Sequence, residues 1–114
     1  MIVAVPVTDD EQVDPRWGKA RDVAVAKVED GAIRSWEVFP VGWDVLHDQG
    51  EHGTHHARIV TFLRNNNVDG VVINHAGAPM MNTMAKMGLA IAVDAAGPAR
   101  HAALRAAEVF SKAD

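Results

Sequence analysis

The chain has 114 residues, 48% of them hydrophobic and 23% charged, a formal net charge of −4 and no cysteine. That length suits one compact core and not two, so a single domain over residues 1–114 is expected. The scattered basic residues disfavour nucleic acid, no apolar run approaches the roughly 20 residues of a membrane helix, and disulfides, thiolate ligands and thiol nucleophiles are excluded together.

In chain order, MIVAVPV is apolar at nearly every position and stops at Thr8-Asp9-Asp10, the pattern of a buried strand. It begins without a basic leader, so no signal peptide is visible and a cytoplasmic location is expected. VDPRWGKA reads as a loop, with Asp14 held extended by Pro15 and Gly18 suited to a turn. Residues 22–29 and 32–39 alternate and are separated only by Asp30-Gly31, the signal of a two-residue hairpin. Residues 40–53 read as one long irregular loop. From about Thr54, His56, Ile59, Val60 and Leu63 recur with helical spacing, and Asn65-Asn66-Asn67 closes the helix. VDGVVIN is a second buried strand. APMMNTMAKMG is a short helix with Pro79 near its first position and Gly88 beyond its end. LAIAVD is a third strand, and Pro98 opens an alanine-rich helix running to about Phe110.

Apolar strands joined through helices pair in parallel by right-handed crossovers, and the hairpin adds antiparallel strands at one edge. The fold class is therefore α/β with a mixed sheet. Ligands in such sheets gather beyond the carboxyl ends of the parallel strands. Here those ends are Thr8-Asp9-Asp10, Asn74-His75-Ala76-Gly77 and Asp94-Ala95-Ala96-Gly97.

Four of the six histidines, His47, His52, His55 and His56, fall just ahead of or within the first helix, and His75 ends the second strand. Imidazole is both a transition-metal ligand and a base near neutral pH, so these five are the candidate metal ligands. His52 with His55 or His56 can share a helix face, whereas His55 and His56 point apart. With Thr54 as cap, His55 and His56 occupy the first turn, where the helix dipole disfavours imidazolium and free N–H groups suit an anion. His56 also lies on the apolar face, where a partly buried structural role is as plausible, and His47 can simply decorate a loop. His101 groups with Arg105 and Glu108 on a solvent face.

Met80, Met81, Met84 and Met87 read as core filler before soft-metal ligands. Asp9 and Asp10 point apart at a strand end, which weakens a two-metal hydrolase reading. Trp17 either covers a ligand or packs on the sheet edge.

MIVAVPVTDD, VDPRWGKA, the hairpin, the His52-Gly53 helix start, VDGVVIN followed by HAG, and the final GPA helix resemble, in that order and spacing, the dinitrogenase iron–molybdenum cofactor biosynthesis family. The resemblance covers residues 1–110. It implies a ribonuclease-H-like three-layer α/β/α fold with a mixed five-stranded sheet. It also implies a non-enzymatic carrier of an iron–molybdenum-type or other metal–sulfur cluster, with no catalytic residues and with a cofactor-assembly protein as partner. On that reading Thr8, Arg16, Trp17 and Gly53 contact the cofactor. Thr54, Asn74 and Gly77 complete the candidate set.

The chain departs from the family's usual His-Phe at Arg16-Trp17 and carries extra imidazoles at His55, His56 and His75. A bare copper, nickel or zinc ion is therefore an alternative cargo. The other functions weighed are a metal-dependent hydrolase with Asp9 or Glu51 as base, and a partner-binding module whose histidine loop orders on contact.

Overall fold

Strand β1 (Ile2–Val7) sends Val3, Val5 and Val7 to one face of the sheet and Ala4 to the other, as the two-residue period of a strand requires. The computed structural model in which this is seen describes residues 1–50 and 52–112, and of His52 the backbone alone. β1 is the middle of a five-stranded sheet of order β3-β2-β1-β4-β5. β2 (Asp22–Glu29) and β3 (Ala32–Phe39) form the antiparallel edge. β4 (Gly70–Val72) and β5 (Ala90–Ala92) pair in parallel on the other side of β1. The hairpin turns through Asp30 (φ 53°) and Gly31 (φ 74°), the paired positive angles of a type I′ turn.

Helices cover both faces. α4 (Ala99–Lys112) buries Ala99, Ala102, Ala103, Ala106 and Ala107 on one face, and these small side chains let its axis approach the valines of β1 and β2 closely. α2 (His52–Asn65) and α3 (Ala78–Lys86) cover the other through Ile59, Leu63, Met80 and Met84. The methionine stripe is thus mainly core. This is the mixed-sheet α/β fold that the strand and helix pattern implies, in the three layers that the family resemblance implies.

Three expectations change. The segment 40–53 is not irregular throughout: Trp43–Leu46 forms a one-turn helix, α1, which turns the Trp43 indole into the core. Trp17–Lys19 likewise forms a 3-10 turn within the preceding loop. And α2 starts at His52, so Thr54 lies inside it and His55 and His56 sit a turn deeper than a Thr54 cap would place them. Its far end is as expected. Asn67 (φ 53°) takes the left-handed position, with Val68 N–H bonded to Leu63 O at 3.1 Å and Asn67 N–H to Arg64 O at 3.1 Å.

Candidate functional site

A cleft of about 560 Å³ opens beyond the carboxyl end of β4, on the face covered by α2 and α3. One wall is the 3-10 turn with its flanks, Arg16 to Lys19. The opposite wall is His47-Asp48 with the flank of α2, through His55, His56 and Ile59. The β4–α3 connection, His75 to Met80, closes the third side. A parallel bridge between Arg16 and His75 carries the sheet's pairing one step past its last strands and joins the first wall to the third.

The walls are held by buried aromatic rings. Trp17, 1% exposed, stands edge-on to Trp43 at 5.5 Å between centroids, and Trp43 is edge-on to Phe62 at 5.6 Å. Trp17 therefore forms the inner wall and packs on the sheet at once. Its indole N–H is buried without an acceptor among the described residues. Arg16 reaches outward, anchored by the buried carboxylate of Asp14, which accepts from Arg16 N–H at 2.9 Å and Nε at 3.3 Å.

Among the imidazoles, His55 is 8% exposed and gives its Nε2–H to Gly18 O at 2.7 Å. His47 stacks edge-on against it at 6.4 Å and pairs through Nδ1 with Asp48 at 3.0 Å. His56 and exposed His75 line the cleft from α2 and from the end of β4. The side chain of His52 and the whole of Glu51 lie outside the described residues. Among the described residues no three His, Asp or Glu side chains stand close enough together to hold one metal ion.

Arg16, Trp17, His47, His55, His56, His75 and Gly77 are thus brought together. Thr8, Thr54 and Asn74 stand elsewhere. Thr8 turns into the loop after β1, where its Oγ1 donates to Asp10 at 2.6 Å and accepts from Gln12 N–H at 3.1 Å. It borders a separate notch with Asp9, Asp14, Asp22 and Asp44, closed by Arg21. There the Arg21 guanidinium, hydrogen-bonded to Asp22 and close to Asp9, is held more firmly protonated than an isolated arginine. Asp9 therefore faces Arg21 and not the histidines. Thr54 faces an outer groove between α1 and α2, and Asn74 donates from Nδ2 to Ala95 O at 3.0 Å, tying the ends of β4 and β5. Gly53 is exposed in the first turn of α2.

Lys19 and Asp48 line the cleft although no motif in the sequence singles them out, and Ile59 and Met80 line it besides filling the core. Lys19 follows Trp17 by two positions in the same short loop, and that spacing is the signal that places it beside Arg16.

Fold and cleft together define a small α/β/α protein with a cleft at the sheet's carboxyl edge, lined by imidazoles and two cations. The chain belongs to the dinitrogenase iron–molybdenum cofactor family, whose model matches residues 1–109. Its members take part in the biosynthesis and binding of that cofactor. Solved structures share the fold. The apo form of the orange protein from Desulfovibrio gigas superposes with a TM-score of 0.73 at 19% identity, over 95% of this chain and 88% of that one. A putative NifB protein from Thermotoga gives 0.65 at 21%, over 98% and 88%. A putative dinitrogenase from Methanocaldococcus jannaschii gives 0.65 at 12%, over 95% and 89%. No curated protein sequence matches the chain.

Proposed function

We propose that this protein is a non-enzymatic carrier for an anionic metal–sulfur cluster of the iron–molybdenum type, held in the cleft between Arg16 and His56 and passed to or from a cofactor-assembly protein. The observation that carries this reading is the cleft's donor set. Among the described lining residues the cations Arg16, anchored by buried Asp14, and Lys19 outnumber the one carboxylate, Asp48, and imidazoles approach from the wall opposite them and from the end of β4. The amino end of α3 also points at the cleft. Its cap residue, Gly77, offers no side chain to the free N–H groups of the first turn, which leaves them for an anion. With no thiol present, the cargo is held by charge, N–H donors and imidazole nitrogen, an arrangement suited to a cluster that must leave again. The dispersal of His47, His56 and His75 over three segments favours a cargo of cluster size over a bare ion, which needs convergent ligands.

The test is anaerobic titration of metal-free protein with tetrathiomolybdate, a small anionic molybdenum sulfide. Retained molybdenum is measured after gel filtration and followed by visible absorption. The expected result is near-stoichiometric retention at low salt, weakened by roughly tenfold or more, about 1.4 kcal/mol, in Arg16→Glu/Lys19→Glu. No retention by the wild type, or equal retention by the charge-reversed variant, would sink the reading.

A further inference from the structure

We propose that His55 is a positioning residue and not a cargo ligand: a strut on α2 that sets how far apart the two walls of the cleft stand. The inference rests on the cleft being the binding site, but its geometry is independent of any cargo.

The Gly18 carbonyl can only accept, so the 2.7 Å contact puts the ring proton on Nε2 and leaves Nδ1 as an acceptor. Arg58, one turn further along α2, has only donors to offer and places Nη1 at 3.5 Å from that Nδ1. Both ring nitrogens of a neutral imidazole are then committed to protein partners. A cation at Nδ1 would also sit against a guanidinium, where like charges repel.

Each partner belongs to a different wall. Gly18 lies between Trp17 and Lys19 in the 3-10 turn, so its carbonyl fixes the wall that presents Arg16 and Lys19. Arg58 Nη1 also donates to Leu46 O at 2.9 Å and Gln49 O at 3.3 Å, the carbonyls on either side of His47 and Asp48. Those bonds tie down the wall that presents His47. The ring is further wedged by edge contacts with Trp43 and His47, each at 6.4 Å. One side chain therefore spans the cleft's inner end.

Glutamine separates the two roles. Its amide offers an NH2 donor on one side and a carbonyl acceptor on the other, much as a neutral imidazole offers one of each, but it is a poor transition-metal ligand. Two readouts apply to His55→Gln and His55→Ala: hydrogen exchange at the amides of Lys19 and Ala20 on one wall and His47 and Gln49 on the other, and tetrathiomolybdate retention. His55→Ala is expected to speed exchange on both walls by about fivefold or more, the equivalent of one lost hydrogen bond, and to weaken retention. His55→Gln is expected to stay within roughly threefold of wild type in both. Should the alanine variant not fold, Arg58→Gln releases only the far wall, so exchange rises at His47 and Gln49 and not at Lys19 and Ala20. Loss of retention in His55→Gln with exchange unchanged makes His55 a ligand and overturns the strut. Unchanged exchange at either wall in His55→Ala overturns it too. If the wild type retains no molybdenum, the carrier reading fails while the exchange comparison still decides the strut.

Discussion

Arg16 keeps its guanidinium at the mouth of the cleft because Asp14, two residues earlier, holds it by backbone and side chain together. The Arg16 side chain is 61% exposed and the Asp14 side chain only 5%, so the anion is inside and the cation reaches out. An ion pair with one exposed member contributes little to stability. The bond from Arg16 N–H to a buried carboxylate contributes more, of order 1.5–3 kcal/mol. Asp14→Ala is therefore expected to lower unfolding free energy by about that much in urea denaturation. Asp14→Asn should cost less, since its amide oxygen still accepts the Arg16 N–H. An alanine variant within about 0.5 kcal/mol of wild type would show that the buried carboxylate does not hold the turn. This arrangement was partly legible. Pro15 marks Asp14 as extended, but the return of the carboxylate to Arg16 N–H, an Asx turn, is seen only in the folded chain. The histidines were less legible, because sequence shows that His55 and His56 diverge but not which of them meets Gly18.

Among the elements, those set by local chemistry were readable. Asp30-Gly31, Asn67 and Gly88 all take the positive φ that their turns and helix ends demand. The start of α2 was not readable, because its first turn, His52-Gly53-Thr54, is polar and glycine-containing and shows no apolar stripe. α1 was hidden for a different reason. A four-residue helix has no period to detect, and its place is fixed by Trp43 packing on Trp17. Gly70 opens β4 in a place where long-range contact decides the residue. A Cβ there would come within 2.6 Å of Phe110 Cε2 and 3.3 Å of Ala90 O. The ring is buried at the end of α4 and the carbonyl belongs to the neighbouring strand, so neither yields freely. Gly70→Ala is expected to destabilise by roughly 1–3 kcal/mol. Adding Phe110→Leu should cost less than the sum of the two single changes, because the second removes the clash made by the first. Strict additivity in denaturant unfolding would mean that the helix end moves aside and that Gly70 is not chosen for its closeness to Phe110.

At the scale of the molecule, the mixed parallel and antiparallel pairing follows from the alternation of strand and helix patterns, and so does the edge at which the cleft opens. What the pattern leaves open is which segments at that edge share a cavity. Thr8, at the end of β1, was expected beside the histidines. Instead the loop after β1 closes on itself through Thr8 and Gln12, and Arg16 steps over it to pair with His75. The cleft therefore joins residues 16–19, 47–48, 55–59 and 75–80, segments that only the folded chain brings together. A ligand bound there stabilises the native state by mass action, because the unfolded chain has no such site. At about 100 times its dissociation constant, tetrathiomolybdate should add roughly 2.7 kcal/mol, a rise in Tm of order 10 °C for a chain of this size. Attraction to Arg16 and Lys19 at the exposed mouth is screened at high ionic strength, so the rise should shrink steeply in about 0.5 M salt. It should be largely lost in Arg16→Glu/Lys19→Glu. A Tm increase that ignored both salt and charge reversal would come from a site other than this cleft, and the carrier proposal would have to be moved to it.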